Sequence, residues 1–159
     1  MFCKYYVNFK MPHCQKLIKF HICFREKVAS DMKDKELKFW TTDPNRFLVA
    51  KTSNGKVVGC VSYKQINEDT AEMNRLAVDS NFRGMKIGRK LVEECMNEAK
   101  SEGHQVMYLD TSSAQIDACK MYEKLGYSLL RKTDFGEGYG AFIANYFSGL
   151  CVYAYIKRL

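Results

Sequence analysis

The stretch Leu76-Ala77-Val78-Asp79-Ser80-Asn81-Phe82-Arg83-Gly84-Met85-Lys86-Ile87-Gly88-Arg89-Lys90-Leu91-Val92 constrains this chain most. An apolar strand runs into a short polar turn, then a basic loop with two glycines, then a helix. The helix is legible because Ile87, Leu91, Val92, Cys95, Met96 and Ala99 recur at intervals of three and four, and Gly103 ends it. A loop entering a helix this way gathers backbone N–H groups and the positive end of the helix dipole at one point, which is an anion site. Arg83, Lys86, Arg89 and Lys90 add charge there. The stretch reads as a cradle for the diphosphate of a cofactor, although an ordinary strand-to-helix turn with a solvated basic face has the same composition. Neither G-x-x-x-x-G-K-[ST] nor G-x-G-x-x-G occurs, so the common nucleotide loops do not apply.

Around this stretch the patterns alternate. Phe47-Leu48-Val49-Ala50 is a strand, Ser53-Asn54-Gly55-Lys56 carries the Asn-Gly hairpin signal, and Val57 to Tyr63 returns. Thr70 to Val78 reads as a third adjacent strand. Val106 to Leu109 is a short apolar strand of the kind covered on both faces. Ile116, Cys119, Tyr122 and Leu125 mark a second helix closed by Gly126. Tyr127 to Leu130 and Val152 to Ile156 are strands, separated by an aromatic, glycine-punctuated insertion from Asp134 to Leu150. The order predicts an α/β fold, a mixed sheet with helices on its faces, in a single domain over residues 1–159. Residues 1–40 are the least legible: Cys3 to Phe9 fits a strand, and Cys14 to Val28 fits helix and strand periods equally. Asp31 is placed to cap a short helix through Glu36.

Composition narrows the chemistry. With 25 Lys+Arg against 18 Asp+Glu, the formal charge of +7 favours an anionic partner without choosing among nucleic acid, a membrane surface and a phosphorylated cofactor. A nucleic-acid-binding domain would rest on charge alone, and no nucleic-acid partner is expected. The seven cysteines form no C-x-x-C pair, so neither a metal nor a disulfide framework is expected. Cys60, Cys95 and Cys119 fall at apolar positions as small hydrophobes, which suits reduced thiols in a cytoplasmic setting. Gly138 to Ile156 has no charged residue over 19 positions, close to a spanning length. Its glycines, tyrosines, Asn145 and Ser148 favour a buried loop and final strand, while contact of residues 138–156 with a membrane surface stays open.

Two motifs in order make the resemblance specific. Leu76-Ala77-Val78 followed by Arg83-Gly84-Met85-Lys86-Ile87-Gly88 resembles the acyl-CoA signature of the GNAT acyltransferase superfamily. Ala118-Cys119-Lys120-Met121-Tyr122-Glu123-Lys124-Leu125-Gly126-Tyr127 resembles its A-x-x-L-Y-E-K-L-G-F helix. The resemblance runs from about Arg46 to the carboxyl end. Within the superfamily the chain is most similar to the camello-like N-acetyltransferases. Asp31-Met32, Phe47-Leu48-Val49-Ala50, Lys56-Val57-Val58-Gly59, Leu109-Asp110-Thr111-Ser112 and the uncharged aromatic tail carry that similarity. Two departures stand out. Lys86 replaces the middle glycine of R-G-x-G-x-G/A, and the apolar hairpin that precedes the catalytic domain in camello-like proteins is not visible.

The resemblance implies a mostly antiparallel twisted sheet with helices on both faces, and transfer of an acetyl group from acetyl-CoA, as co-substrate, directly to a primary amine of a small molecule or protein. The alternative it leaves is a non-catalytic acyl-CoA-binding module. It implies that the backbone of Leu76, Ala77 and Val78 holds the pantetheine arm, and that Arg83, Gly84, Met85, Lys86, Ile87, Gly88 and Arg89 cradle the pyrophosphate. Gln115, where relatives often carry asparagine, contacts the cofactor. Glu72 is the candidate base, since a carboxylate partly removed from water there suits proton uptake from the amine. Tyr122 is the candidate acid facing the leaving sulfur. At Lys86 a side chain can crowd the phosphate, while its N–H and cation can bind it. A monomer or homodimer is expected, either cytoplasmic or, as camello-like relatives are, on an intracellular membrane.

Overall fold

The computed structural model describes residues 6–9, 18–22, 45–134 and 151–159, the first two segments as backbone. In chain order the elements are β1 (Tyr6–Phe9), β2 (Ile18–Ile22), β3 (Arg46–Lys51), β4 (Val57–Gln65), β5 (Thr70–Val78), α1 (Ile87–Ser101), β6 (Val106–Ser112), α2 (Ile116–Lys124), β7 (Ser128–Asp134) and β8 (Cys151–Arg158). The strands form one sheet in the order β1-β2-β3-β4-β5-β6-β8-β7. Every neighbouring pair is antiparallel except β5 and β6, which run parallel. A parallel pair needs a crossover, and α1 supplies it.

Local rules account for most joints. At the β3–β4 hairpin the Gly55 amide donates to the Thr52 carbonyl at 2.9 Å, and Gly55 takes φ +86°, as the Asn-Gly signal predicts. Gly103 and Gly126 take φ +96° and +84° and end α1 and α2 in the left-handed conformation that glycine adopts without strain.

α1 lays Ile87, Leu91, Val92, Cys95 and Ala99 over β3, β4 and β5. They join Leu48, Ala50, Val61, Tyr63, Ala71, Met73, Met107, Leu109 and Tyr155 from the sheet, and Cys119, Tyr122 and Leu125 from α2, in one core cluster. Full burial of a side chain such as Leu91 contributes roughly 1.5–3 kcal/mol, so this face is the main source of stability. Gly59 sets how closely α1 approaches. A Cβ there would lie 3.0 Å from both the Ala77 carbonyl oxygen and Leu91 Cδ1.

Phe47 and Val49 point to the opposite face, with Val57 and Cys60. Both described helices share the first face. The expectation of helices on both faces rests on residues outside the described set, including the helix expected at Asp31 to Glu36. The Asp134–Leu150 insertion lies outside it beyond Asp134. The Cys14–Val28 stretch, left equally open to helix or strand by its period, contains strand β2. Ile116, assigned to the apolar stripe of α2, is 59% exposed because it sits in the first turn, where α2 has not yet reached the sheet. The described cysteines, Cys60, Cys95, Cys119 and Cys151, are all free thiols. Among the described residues no helix is long and apolar enough to cross a membrane, and no group of three His, Cys, Asp or Glu is placed to hold a metal.

Candidate active site

The site is built where β5 and β6 part. Their parallel pairing runs through Thr70–Val106, Ala71–Met107 and Glu72–Tyr108 and goes no further among the described residues, although β5 continues to Val78 and β6 to Ser112. On its other side β5 stays paired with β4, Ala77 to Cys60 and Val78 to Gly59. Among the described residues, no strand pairs with the edge of Leu76–Val78 that faces β6.

A bulge in β5 precedes that edge. Ser62 of β4 pairs with Asn74 while Cys60 pairs with Ala77, so β5 spends one extra residue across from Val61. Arg75 takes φ +54°, a left-handed conformation uncommon for a residue with a side chain. The Cys60 thiol donates to its carbonyl at 3.4 Å. Nothing in the local sequence announces this bulge, because no glycine or asparagine occupies position 75.

From Val78 the chain turns through a single 3-10 turn, Ser80–Phe82. Asp79 caps it: Oδ1 accepts from the Asn81 amide at 2.9 Å, and Oδ2 is 3.3 Å from Lys56 Nζ. The Asn81 amide first, and Lys56 besides, hold the Asp79 carboxyl below the usual carboxylate range. Gly84 takes φ +76° in open space. Lys86 then caps α1 at φ +58°, ψ +15°, without a side-chain capping bond. That is why glycine is expected here: the loop needs a left-handed residue, and lysine supplies it at a cost of about 1–2 kcal/mol. The Lys86 carbonyl accepts from the Lys90 amide at 3.0 Å, so α1 begins on schedule. Its first amides, Ile87 to Arg89, precede the first intrahelical bond and face the loop. Gly88 is not required by contact. A Cβ there would meet Val78 Cγ2 at 3.6 Å and Met121 Sδ at 4.0 Å, ordinary packing distances. Arg83, Lys86 and Arg89 are exposed around the loop; Arg89 Nε lies 2.9 Å from Glu93.

Tyr122 lies on the helical side of the sheet, 5% exposed, with its ring 5.7 Å from Tyr127 and 6.0 Å from Tyr155. Tyr155 pairs with Leu109 of β6, so Tyr122 sits above the β6 side of the parting. Burial, and less so the Cys119 and Cys95 thiols, pushes its hydroxyl up to about 12. It therefore stays protonated at neutral pH, the state an acid needs. Gln115 caps α2; its carbonyl accepts from the Cys119 amide at 3.0 Å, and Thr111 Oγ1 donates to its Oε1 at 3.2 Å.

Glu72 lies on the other face, the last β5 residue paired to β6. Both of its oxygens are engaged. Lys64 Nζ is 2.9 Å from Oε2, and Asn74 Nδ2 donates to Oε1 at 3.1 Å. Two further residues of this face escaped the sequence reading: the Tyr108 hydroxyl donates to Asp110 Oδ1 at 2.6 Å. The alternation of Tyr108 and Asp110 along β6 was the available signal, since residues two apart in a strand share a face.

The sequence profile of the Acetyltransferase (GNAT) family matches residues 15–127, a span that takes in the parting of β5 and β6, the glycine loop and Tyr122. The chain belongs to the GNAT acetyltransferase family. Among its relatives, N-acetylaspartate synthetase of Mus musculus is 33% identical over 108 residues, 67% of this chain and 36% of that protein. A probable N-acetyltransferase camello of Xenopus tropicalis is 29% identical over 114 residues, 70% of this chain and 52% of that one. The chain thus spans about a third to a half of these relatives. A GNAT family acetyltransferase from Elizabethkingia anophelis, solved with acetyl-CoA bound, has the same fold: TM-score 0.68 at 18% identity, covering 89% of this chain and 98% of that one.

Proposed function

We propose that this protein transfers an acetyl group from acetyl-CoA to a primary amine by direct attack. The observation that carries the reading is the parting of β5 and β6 beyond Glu72 and Tyr108, with the open edge of Leu76–Val78 leading straight into the glycine loop and the amino end of α1. Family membership, and relatives named as N-acetyltransferases, support the same reaction.

In this reading pantetheine adds along Leu76–Val78 by strand-like hydrogen bonds, and a backbone N–H there polarises the thioester carbonyl. The pyrophosphate rests on the amides from Arg83 to Arg89, with Arg83, Lys86 and Arg89 as cations. The neutral amine nitrogen forms a bond to the thioester carbon, the C–S bond breaks, and Tyr122 gives its proton to the leaving sulfur. Glu72, the candidate base, sits on the face of the sheet opposite Tyr122, where the parting begins. The camello-like relatives make a small amino acid and a protein lysine the acceptor classes to try first.

Two measurements test this: thermal stabilisation by acetyl-CoA, and CoA thiol release with aspartate, a cysteine S-conjugate and a lysine peptide. Stabilisation with release for one acceptor is the expected result. Stabilisation without release for any of the three points to an acyl-CoA-binding module. Absence of stabilisation sinks the cofactor assignment.

A further inference from the structure

The geometry points to Tyr108 and Asp110 as the route by which the proton leaves the acceptor amine. The inference rests on the acetyl-transfer reading above and adds to it two residues of β6 on the face that carries Glu72.

Sheet register carries the first part of the argument. Lys64, Glu72 and Tyr108 are partners in one row across β4, β5 and β6, all on the face opposite the helices. Tyr108 is thus the last β6 residue before the parting, and Asp110, two residues on, lines the opening itself. Tyr122 stands on the other face. An amine arriving from the Tyr108 side attacks while the sulfur leaves toward Tyr122, which gives the displacement opposite entry and exit sides.

Side-chain tethering carries the second part. Glu72 is tied into the sheet by Asn74 at Oε1 and Lys64 at Oε2, away from the opening beyond it. Asp110 is exposed, and its described partner is the Tyr108 hydroxyl, received by Oδ1. The phenol oxygen of Tyr108, having donated its hydrogen toward Asp110, keeps its acceptor lone pairs for an N–H.

The step balances. As the C–N bond forms, one amine proton passes to Tyr108 Oη while the Tyr108 proton passes to Asp110 Oδ1; Tyr108 ends neutral, and Asp110 carries the proton to solvent. Burial, followed by the hydrogen bond to Asp110, pushes the Tyr108 hydroxyl up to about 12, with Asp110 and Glu72 adding to the effect and Arg131 opposing it. Tyr108 therefore works as a relay that is protonated before and after the step, and an intermediate tyrosinate is not needed. Among the described residues, the charged groups that act on it are Glu72 on β5, Asp110 on β6 and Arg131 on β7, with Lys64 of β4 paired to Glu72.

The test compares Tyr108→Phe, Asp110→Asn and the double variant with the parent chain, using acetyl-CoA and whichever of the three amines it acetylates best. Each single variant is expected to keep its stabilisation by acetyl-CoA and the amine KM within about threefold, while kcat near pH 7 falls at least about tenfold. The double variant should be no worse than the weaker single one, because the two groups act as a unit. The deficit should persist toward about pH 10, because the proton the relay takes is one that a neutral amine still carries as the C–N bond forms. Asp110 is exposed, so Asp110→Asn keeps the test alive should Tyr108→Phe fold poorly. A kcat within about twofold of the parent at every pH, with acetyl-CoA still bound, overturns the relay and leaves the acetyl-transfer reading standing. A parent chain that acetylates none of the amines overturns both.

Discussion

Glu72 of β5 and Tyr108 of β6 are the last partners of the parallel pair, and the sheet opens immediately after them. Everything assigned to the chemistry lies around that point. The bulge at Arg75 follows within three residues on one strand, and Asp110 within two on the other. Parting costs the sheet several ladder bonds, and the two strands are kept in place by their outer neighbours, β4 for β5 and β8 for β6. A cleft whose two strands are each paired on their outer side is rigid enough to orient a thioester.

Lys86→Gly should stabilise the protein. Glycine removes the left-handed cost of about 1–2 kcal/mol, part of which returns as added freedom of the unfolded chain. A net gain of about 0.5–1 kcal/mol, or about 1–4 °C in Tm, is expected for a chain of this size. The lysine's contribution to phosphate binding should appear as a steeper loss of acetyl-CoA affinity with added salt in the natural sequence than in the glycine variant. Thermal melts across a salt series measure both.

Tyr122→Phe should separate chemistry from packing. The ring fills the core beside Tyr127 and Tyr155, and phenylalanine keeps it, so stability should change by less than about 1.5 kcal/mol. Loss of the acid should lower kcat by about 10²-fold with little change in KM. Equal activity of the two proteins would remove Tyr122 from the mechanism.

Two glycines should behave oppositely. Gly59→Ala drives a Cβ to 3.0 Å from a backbone oxygen and from Leu91, so α1 must shift at a cost of about 1–3 kcal/mol. Gly88→Ala meets its neighbours at 3.6 and 4.0 Å and should be neutral to slightly stabilising, as alanine is the better helix former. Urea unfolding of the pair decides it.

Alkali should unfold the protein for a stated reason. Tyr108 and Tyr122 are raised from 10.0 to about 12 when folded, and Tyr63, Tyr127 and Tyr155 are raised as well, chiefly by burial. Between the unfolded and folded values the unfolded chain holds fewer protons, so stability falls as pH rises. Urea midpoints should be flat up to about pH 9 and then decline from about pH 10. Tyrosinate absorbance should rise together with unfolding. A midpoint unchanged at about pH 11 would contradict the raised values.

What could be read without coordinates was local. The stripe from Ile87 to Ala99, the Asn54-Gly55 hairpin and the closing glycines Gly103 and Gly126 follow from contacts no more than about four residues apart. So does the strand, glycine loop and helix from Leu76 to Val92. The period of α2 was legible as well, yet Ile116 was misplaced because periodicity names a face and does not say how far along the helix the sheet extends.

The tertiary structure decided what depends on register between strands. That Lys64 meets Glu72, that Tyr108 is their neighbour and that β5 bulges at Arg75 all follow from how β4, β5 and β6 align. A shift of one residue would turn every one of those side chains to the opposite face. The sequence by itself determined the glycine loop and its helix; sheet pairing determined which side chains stand together where β5 and β6 part.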